Sequence, residues 1–175
     1  MDPKLQQLFD STEKRRNTLV QSLADYPEQA LNTCPEPNKW SAIQVMHHLI
    51  LSEANTLNYL RKKVLGLASA RKTGFSAAFK TWLMKVWLAT SFLKRKAAPA
   101  TASGPEADTL AHTAEKWTET RQQLKALLDE LPEGAAERDL FRHPVAGKLN
   151  LIQMLDFLDA HFRHHERQIW NALKK

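Results

Sequence analysis

Apolar positions recur along the chain at helical spacing, in stretches separated by proline- and glycine-marked breaks. Leu5, Leu8, Phe9, Thr12, Leu19 and Leu23 form the first repeat. It follows Asp2-Pro3, a capping carboxylate and then a proline whose missing N–H does no harm at a helix start. This helix is expected to run to about Tyr26, where Pro27 ends it. Pro35, Pro37 and Asn38 mark Glu28–Lys39 as a loop. Trp40 to Val45 then opens a second helix with two matching signals. Ser41 and Gln44 fit a capping box, and Trp40 can pack on Val45 as a hydrophobic staple. This helix is expected to continue to about Leu67 through Met46, Leu49, Ile50, Leu57, Leu60 and Val64. Phe75, Phe79, Trp82 and Val86 share one face of a third helix, and Ala97–Asp108 reads as a crossing loop. A fourth, about Glu106–Leu131, carries Leu110, Ala114, Trp117, Leu124 and Leu128 and ends before Pro132-Glu133-Gly134. Leu131–Gly147 reads as a loop. The last helix opens with Asn150 capping, Gln153 answering and Leu149 against Met154, and its stripe continues through Leu155, Leu158, Phe162 and Ile169.

Four long helices plus an early one predict an all-α protein: an antiparallel up-down four-helix bundle with loop excursions, in a single domain over 1–175. Composition agrees, since glycines are few and Ala, Leu, Gln, Glu and Lys dominate. The lone cysteine, Cys34, excludes an internal disulfide and fits a reducing compartment. With no signal-peptide core at Met1-Asp2-Pro3-Lys4 and no apolar run of bilayer length, a cytoplasmic protein is expected. The formal charge of +6 is unevenly spread: from Arg61 to Lys96 there is no acidic residue, against ten basic ones. A basic amphipathic helix with aromatics can lie on an anionic membrane or accept an acidic ligand. The commoner arrangement packs the aromatic face inward, so peripheral membrane contact is the lesser reading. No recognised module accompanies the charge to suggest nucleic acid.

The last helix carries the unusual chemistry. His161 and His165, four apart, fall inside its apolar stripe, while His164 points away on the side shared with Phe157. Two imidazoles one turn apart on a burying face carry a polar cost, and they present two nitrogens to one point, half of a metal site. The alternative is two core histidines, each bonded to a carbonyl or carboxylate. The second helix offers His47 and His48, and periodicity does not choose between them: His47 is nearer the main stripe, whereas His48 lies with Val45, Ser52 and Asn55. His112 reads as surface or edge without a partner, His143 as a loop residue able to fold over a site, and Cys34 as an incidental thiol. Glu53 and Asp156 are acid/base candidates by proximity along the helices only. Three imidazoles in a bundle would leave coordination open, and would suit zinc, nickel, copper or iron(II) better than magnesium or calcium. No G-x-S-x-G, phosphate loop or H-E-x-x-H competes with this reading.

Three segments in order, Trp40-Ser-Ala-Ile-Gln-Val-Met-His-His48-Leu49 with Ser52-Glu53, His143-Pro144-Val-Ala-Gly147-Lys-Leu149, and His161-x-x-His-His165-x-x-Gln168-Ile169, resemble the DinB/YfiT-like metalloenzymes. The resemblance spans Trp40 to the C-terminus. It implies that His48, in the His-Leu step eight residues after the tryptophan, is one metal ligand, with His161 and His165 as the others. It also implies a four-helix bundle, a homodimer, and nickel or zinc. Relatives are linked to transfer and isomerisation with low-molecular-weight thiols such as bacillithiol or mycothiol, and to hydrolysis. The expected function is therefore a metal-dependent, thiol-dependent S-transferase or hydrolase acting on a small-molecule substrate, with the basic third helix able to help hold an anionic one. The alternative is a non-enzymatic binding or stress-response bundle, with a structural metal or none, meeting a membrane or protein.

Overall fold

Each long helix among the described residues starts where a side chain caps it. In the computed structural model, which describes residues 1–66, 107–143 and 147–174 (His143 by its backbone alone), Asp2 accepts from the Lys4 and Leu5 amides ahead of α1 (Pro3–Leu23). Helix α2 (Glu28–Asn32) comes next, then α3 (Ala42–Val64) and α4 (Leu110–Asp129), where the Thr109 side chain accepts from the His112 amide. The Ser41/Gln44 box is closed in both directions, at 3.0 and 3.2 Å. So is Asn150/Gln153, at 3.1 and 2.9 Å, ahead of α5 (Leu151–Leu173). Such caps contribute about 0.5–2 kcal/mol each by satisfying amides that the helix cannot.

Two segments expected to be loops carry structure. Helix α2 falls inside Glu28–Lys39: five residues are too short for an apolar repeat, but Leu31 is buried. Asn32 donates to the Asp108 carbonyl at 3.0 Å, and the Glu28 carboxylate accepts from the Leu110 amide at 3.0 Å. These bonds hold α2 on the start of α4, which begins at Leu110 rather than Glu106. The segment Leu131–Gly147 contains a 3-10 turn, Ala135–Glu137, and an antiparallel pair, β1 (Phe141–His143) and β2 (Gly147–Leu149), with Phe141 opposite Leu149 and His143 opposite Gly147. Three-residue strands are too short to show a period of two. Phe141 meets Tyr59 of α3 edge-on at 5.5 Å, which ties the hairpin, and so the entry into α5, to the bundle. The aromatic face at Phe75, Phe79, Trp82 and Val86 and nearly all of the Ala97–Asp108 crossing loop lie outside the described residues, as does most of the basic stretch.

Among the described residues the bundle is all-α apart from this hairpin, and the long helices described are α1, α3, α4 and α5. Each of α3 and α1 packs against both α4 and α5. One apolar cluster joins Leu5 and Phe9, Leu57 and Leu60, Leu124 and Leu128, and Leu151 to Leu158. A second joins Leu19 and Leu23, Ile43 to Leu49, Leu110 and Trp117, and Phe162 and Ile169. Helices α1 and α5 therefore run from the first cluster to the second, while α3 and α4 run back. The packed pairs α3/α5 and α1/α4 are antiparallel; α3 and α4 share a direction, which places Val64 and Leu110 at opposite ends. Among the described residues, no helix is long and apolar enough to cross a membrane.

A charged layer separates the two clusters. Arg121 donates through Nε to Glu13 at 2.7 Å and through Nη2 to the Phe9 carbonyl at 3.3 Å, with its guanidinium 4.1 Å from the centre of the Phe9 ring. Arg16 reaches Glu13 at 3.2 Å and Thr118 at 2.9 Å. Glu53 faces Arg121 from α3. Burial pushes the Glu53 carboxyl up, and Arg121 pulls it back toward the charged form.

Candidate metal centre

Because α3 and α5 pack antiparallel, a residue near the start of α3 faces the middle of α5. His48 there meets His161 and His165, which α5 presents one turn apart. Ring centres lie 5.3 Å apart for His48 and His161, 4.6 Å for His48 and His165, and 4.5 Å for His161 and His165. One nitrogen from each ring lies within 4.8 Å of the others, and all three residues are half-buried. Metal–nitrogen bonds of about 2.0–2.1 Å in tetrahedral geometry would set nitrogens about 3.3 Å apart, a separation that falls inside the span of this cluster.

The environment keeps the His48 and His165 rings in the form that can donate a lone pair. Burial, reinforced by the neighbouring His161 and His48, pushes the His165 pKa down to about 3. Burial also lowers that of His48. Both are thus neutral at physiological pH, as ligation requires. Nδ1 of His165 lies 2.8 Å from Oε1 of Gln168, one turn further along α5. Trp40 lies against the His48 ring at 5.2 Å, and Phe157 stacks on His161 at 5.7 Å with 18° between the planes. The residues present fit a divalent transition metal: imidazole donors only, half-buried, with no carboxylate in the cluster among the described residues.

Residues 11–169 match the sequence profile of the DinB superfamily. The chain belongs to the DinB superfamily. No curated protein and no solved structure matches it. The match reaches back into α1, ahead of the Trp40 segment that carried the resemblance in sequence.

Among the described side chains, the other histidines of this DinB-superfamily chain stand outside the cluster. His47 turns to the residues leading into α4, with Nε2 3.3 Å from Asp108. Its pKa is lowered by burial, against the pull of that carboxylate. Asp108 also takes His112 at 2.8 Å and Lys116 at 3.1 Å. Burial works to raise the Asp108 pKa, but these partners and the Thr109 amide overcome it and bring it down to about 2. His112, read in sequence as an edge residue without a partner, therefore has one. His164 meets the edge of the His165 ring at 4.9 Å. The side chain of His143 lies outside the described residues. Glu53 belongs to the charged layer, and neither it nor Asp156 joins the histidine cluster. The exposed Cys34 thiol sits 3.6 Å from the Gln44 side-chain oxygen. Gln168 stands in the His161-to-Ile169 motif with no role assigned to it from the sequence. Its spacing of three from His165 is the signal that would have supplied one.

Proposed function

We propose that this chain is a metal-dependent enzyme in which His48, His161 and His165 hold one divalent transition-metal ion, nickel or zinc. The observation that carries the reading is the convergence of three imidazole nitrogens, from two helices, within 4.8 Å of one another. Burial holds His48 and His165 neutral, which supports it. An ion held by three protein ligands keeps a position for water or a thiol and makes that ligand more acidic.

The donor set favours a thiol over water as the reacting partner. Among the described residues no carboxylate joins the cluster to accept a proton from water. Water, with a pKa of about 15.7, needs much more acidification than a thiol at about 8.5. The function supported best is therefore S-transfer from a low-molecular-weight thiol to a small electrophilic substrate, with hydrolysis as the competing activity. Turnover of an electrophile with a panel of such thiols, in metal-loaded protein against His165→Ala, tests it. Thiol-dependent turnover lost in the variant supports S-transfer. Thiol-independent ester or amide cleavage lost in the same variant replaces it with hydrolysis.

A further inference from the structure

We propose that Gln168 is a positioning residue that fixes the tautomer and rotation of His165, so that Nε2 is the nitrogen offered to a metal. The inference rests on the metal-site reading above. Its geometric basis is the 2.8 Å contact between Nδ1 of His165 and Oε1 of Gln168. A carboxamide oxygen only accepts, so Nδ1 carries the proton and donates it. The other ring nitrogen is then left with its lone pair. Without the bond, an imidazole in water exchanges between both tautomers, and one of them aims an N–H where an ion must sit.

The three rings are held by different means. Trp40 packs on the His48 ring and Phe157 stacks on that of His161. Ring contacts of this kind limit rotation. At His165 a hydrogen bond limits rotation and also selects the protonated nitrogen, and Gln168 lies on the same helix one turn away, where backbone geometry fixes the spacing. A partner on the second nitrogen is the usual way a ligating histidine is oriented, and its loss typically costs about 10–100-fold in metal affinity.

Two variants and one spectrum test this. In metal-free wild-type protein, nitrogen NMR of the His165 ring should show a protonated Nδ1 and a bare Nε2. Gln168→Leu, close in size but without an acceptor, should lose that signature and weaken zinc binding, measured against a competing chelator, by about 10–100-fold. Gln168→Glu, which keeps an oxygen at the same reach, should restore both. A wild-type ring with its proton on Nε2, or a Gln168→Leu protein that binds zinc within about twofold of wild type, overturns the proposal. Should Gln168→Leu fail to fold, the wild-type spectrum and the Gln168→Glu affinity still decide. If wild-type protein shows the expected tautomer yet binds no zinc or nickel, the metal-enzyme reading fails while the positioning of His165 by Gln168 stands.

Discussion

Arg121 of α4 and Glu53 of α3 face each other at 3.6 Å inside the bundle, both almost wholly removed from solvent. Burying ions costs several kcal/mol apiece, and their attraction repays that only while both are present. Arg121 also bonds Glu13 and the Phe9 carbonyl, so it is the shared partner of the layer. Arg121→Ala is expected to lower unfolding free energy by about 3–5 kcal/mol, read by urea denaturation near neutral pH. The double replacement Arg121→Met with Glu53→Leu should cost less, because no charge is left stranded between α3 and α4. A loss below about 1 kcal/mol in the alanine variant would contradict the role given to this layer.

His161 and Phe162 are neighbours in sequence with separate tasks. Phe162 is buried against Trp117, with ring centres 5.5 Å apart, in the second apolar cluster. His161 is half-buried on the adjoining face of α5. Phe162→Ala should destabilise metal-free protein by about 3–5 kcal/mol through the cavity it leaves. His161→Ala should cost far less stability and should remove metal binding. Denaturation of metal-free samples beside metal titration checks this, and the reverse order of effects would place the two side chains wrongly.

The pH dependence of metal-free protein follows from the buried imidazoles. The folded pKa of His165 is about 3, against an ordinary value of 6.5. Between those values the unfolded chain binds more protons than the folded one, so stability rises with pH. The contribution is complete above about 6.5 and is lost progressively as pH falls toward 3. His48 acts with the same sign. Glu53 acts oppositely, because burial raises its pKa and the folded state keeps its proton to higher pH. Wild-type protein should therefore lose stability on acidification below about pH 6 more steeply than His165→Leu, by up to about 1.4 kcal/mol per pH unit. Parallel curves for the two proteins would show that His165 is not held neutral by the fold.

What could be read in the sequence was mostly local. Ser41/Gln44 and Asn150/Gln153 act across three residues, so their capping boxes were visible at once. His161 and His165 were legible because helical spacing sets them side by side. His47 and His48 were not separable in this way. Each turns to a different neighbour, the lead-in to α4 for His47 and α5 for His48, and the direction of those neighbours is a property of the whole bundle. The shared direction of α3 and α4 was hidden for the same reason. The charged layer was missed, although it left a trace. Arg16 lies between Thr12 and Leu19, Glu53 between Leu49 and Leu57, and Arg121 between Trp117 and Leu124, each a charge at a position where the helical repeat calls for an apolar side chain. Their partners lie on other helices, and no pattern along one helix announces them.

The central claim is that His48, His161 and His165 share one ion, and metal stoichiometry tests it most directly. Wild-type protein, purified without chelators and analysed for transition metals, should carry or take up one zinc or nickel per chain. His48→Ala and His161→Ala should each lose it while keeping the helical content of wild type. Absence of stoichiometric metal after zinc or nickel loading, or full occupancy in both variants, would contradict the account.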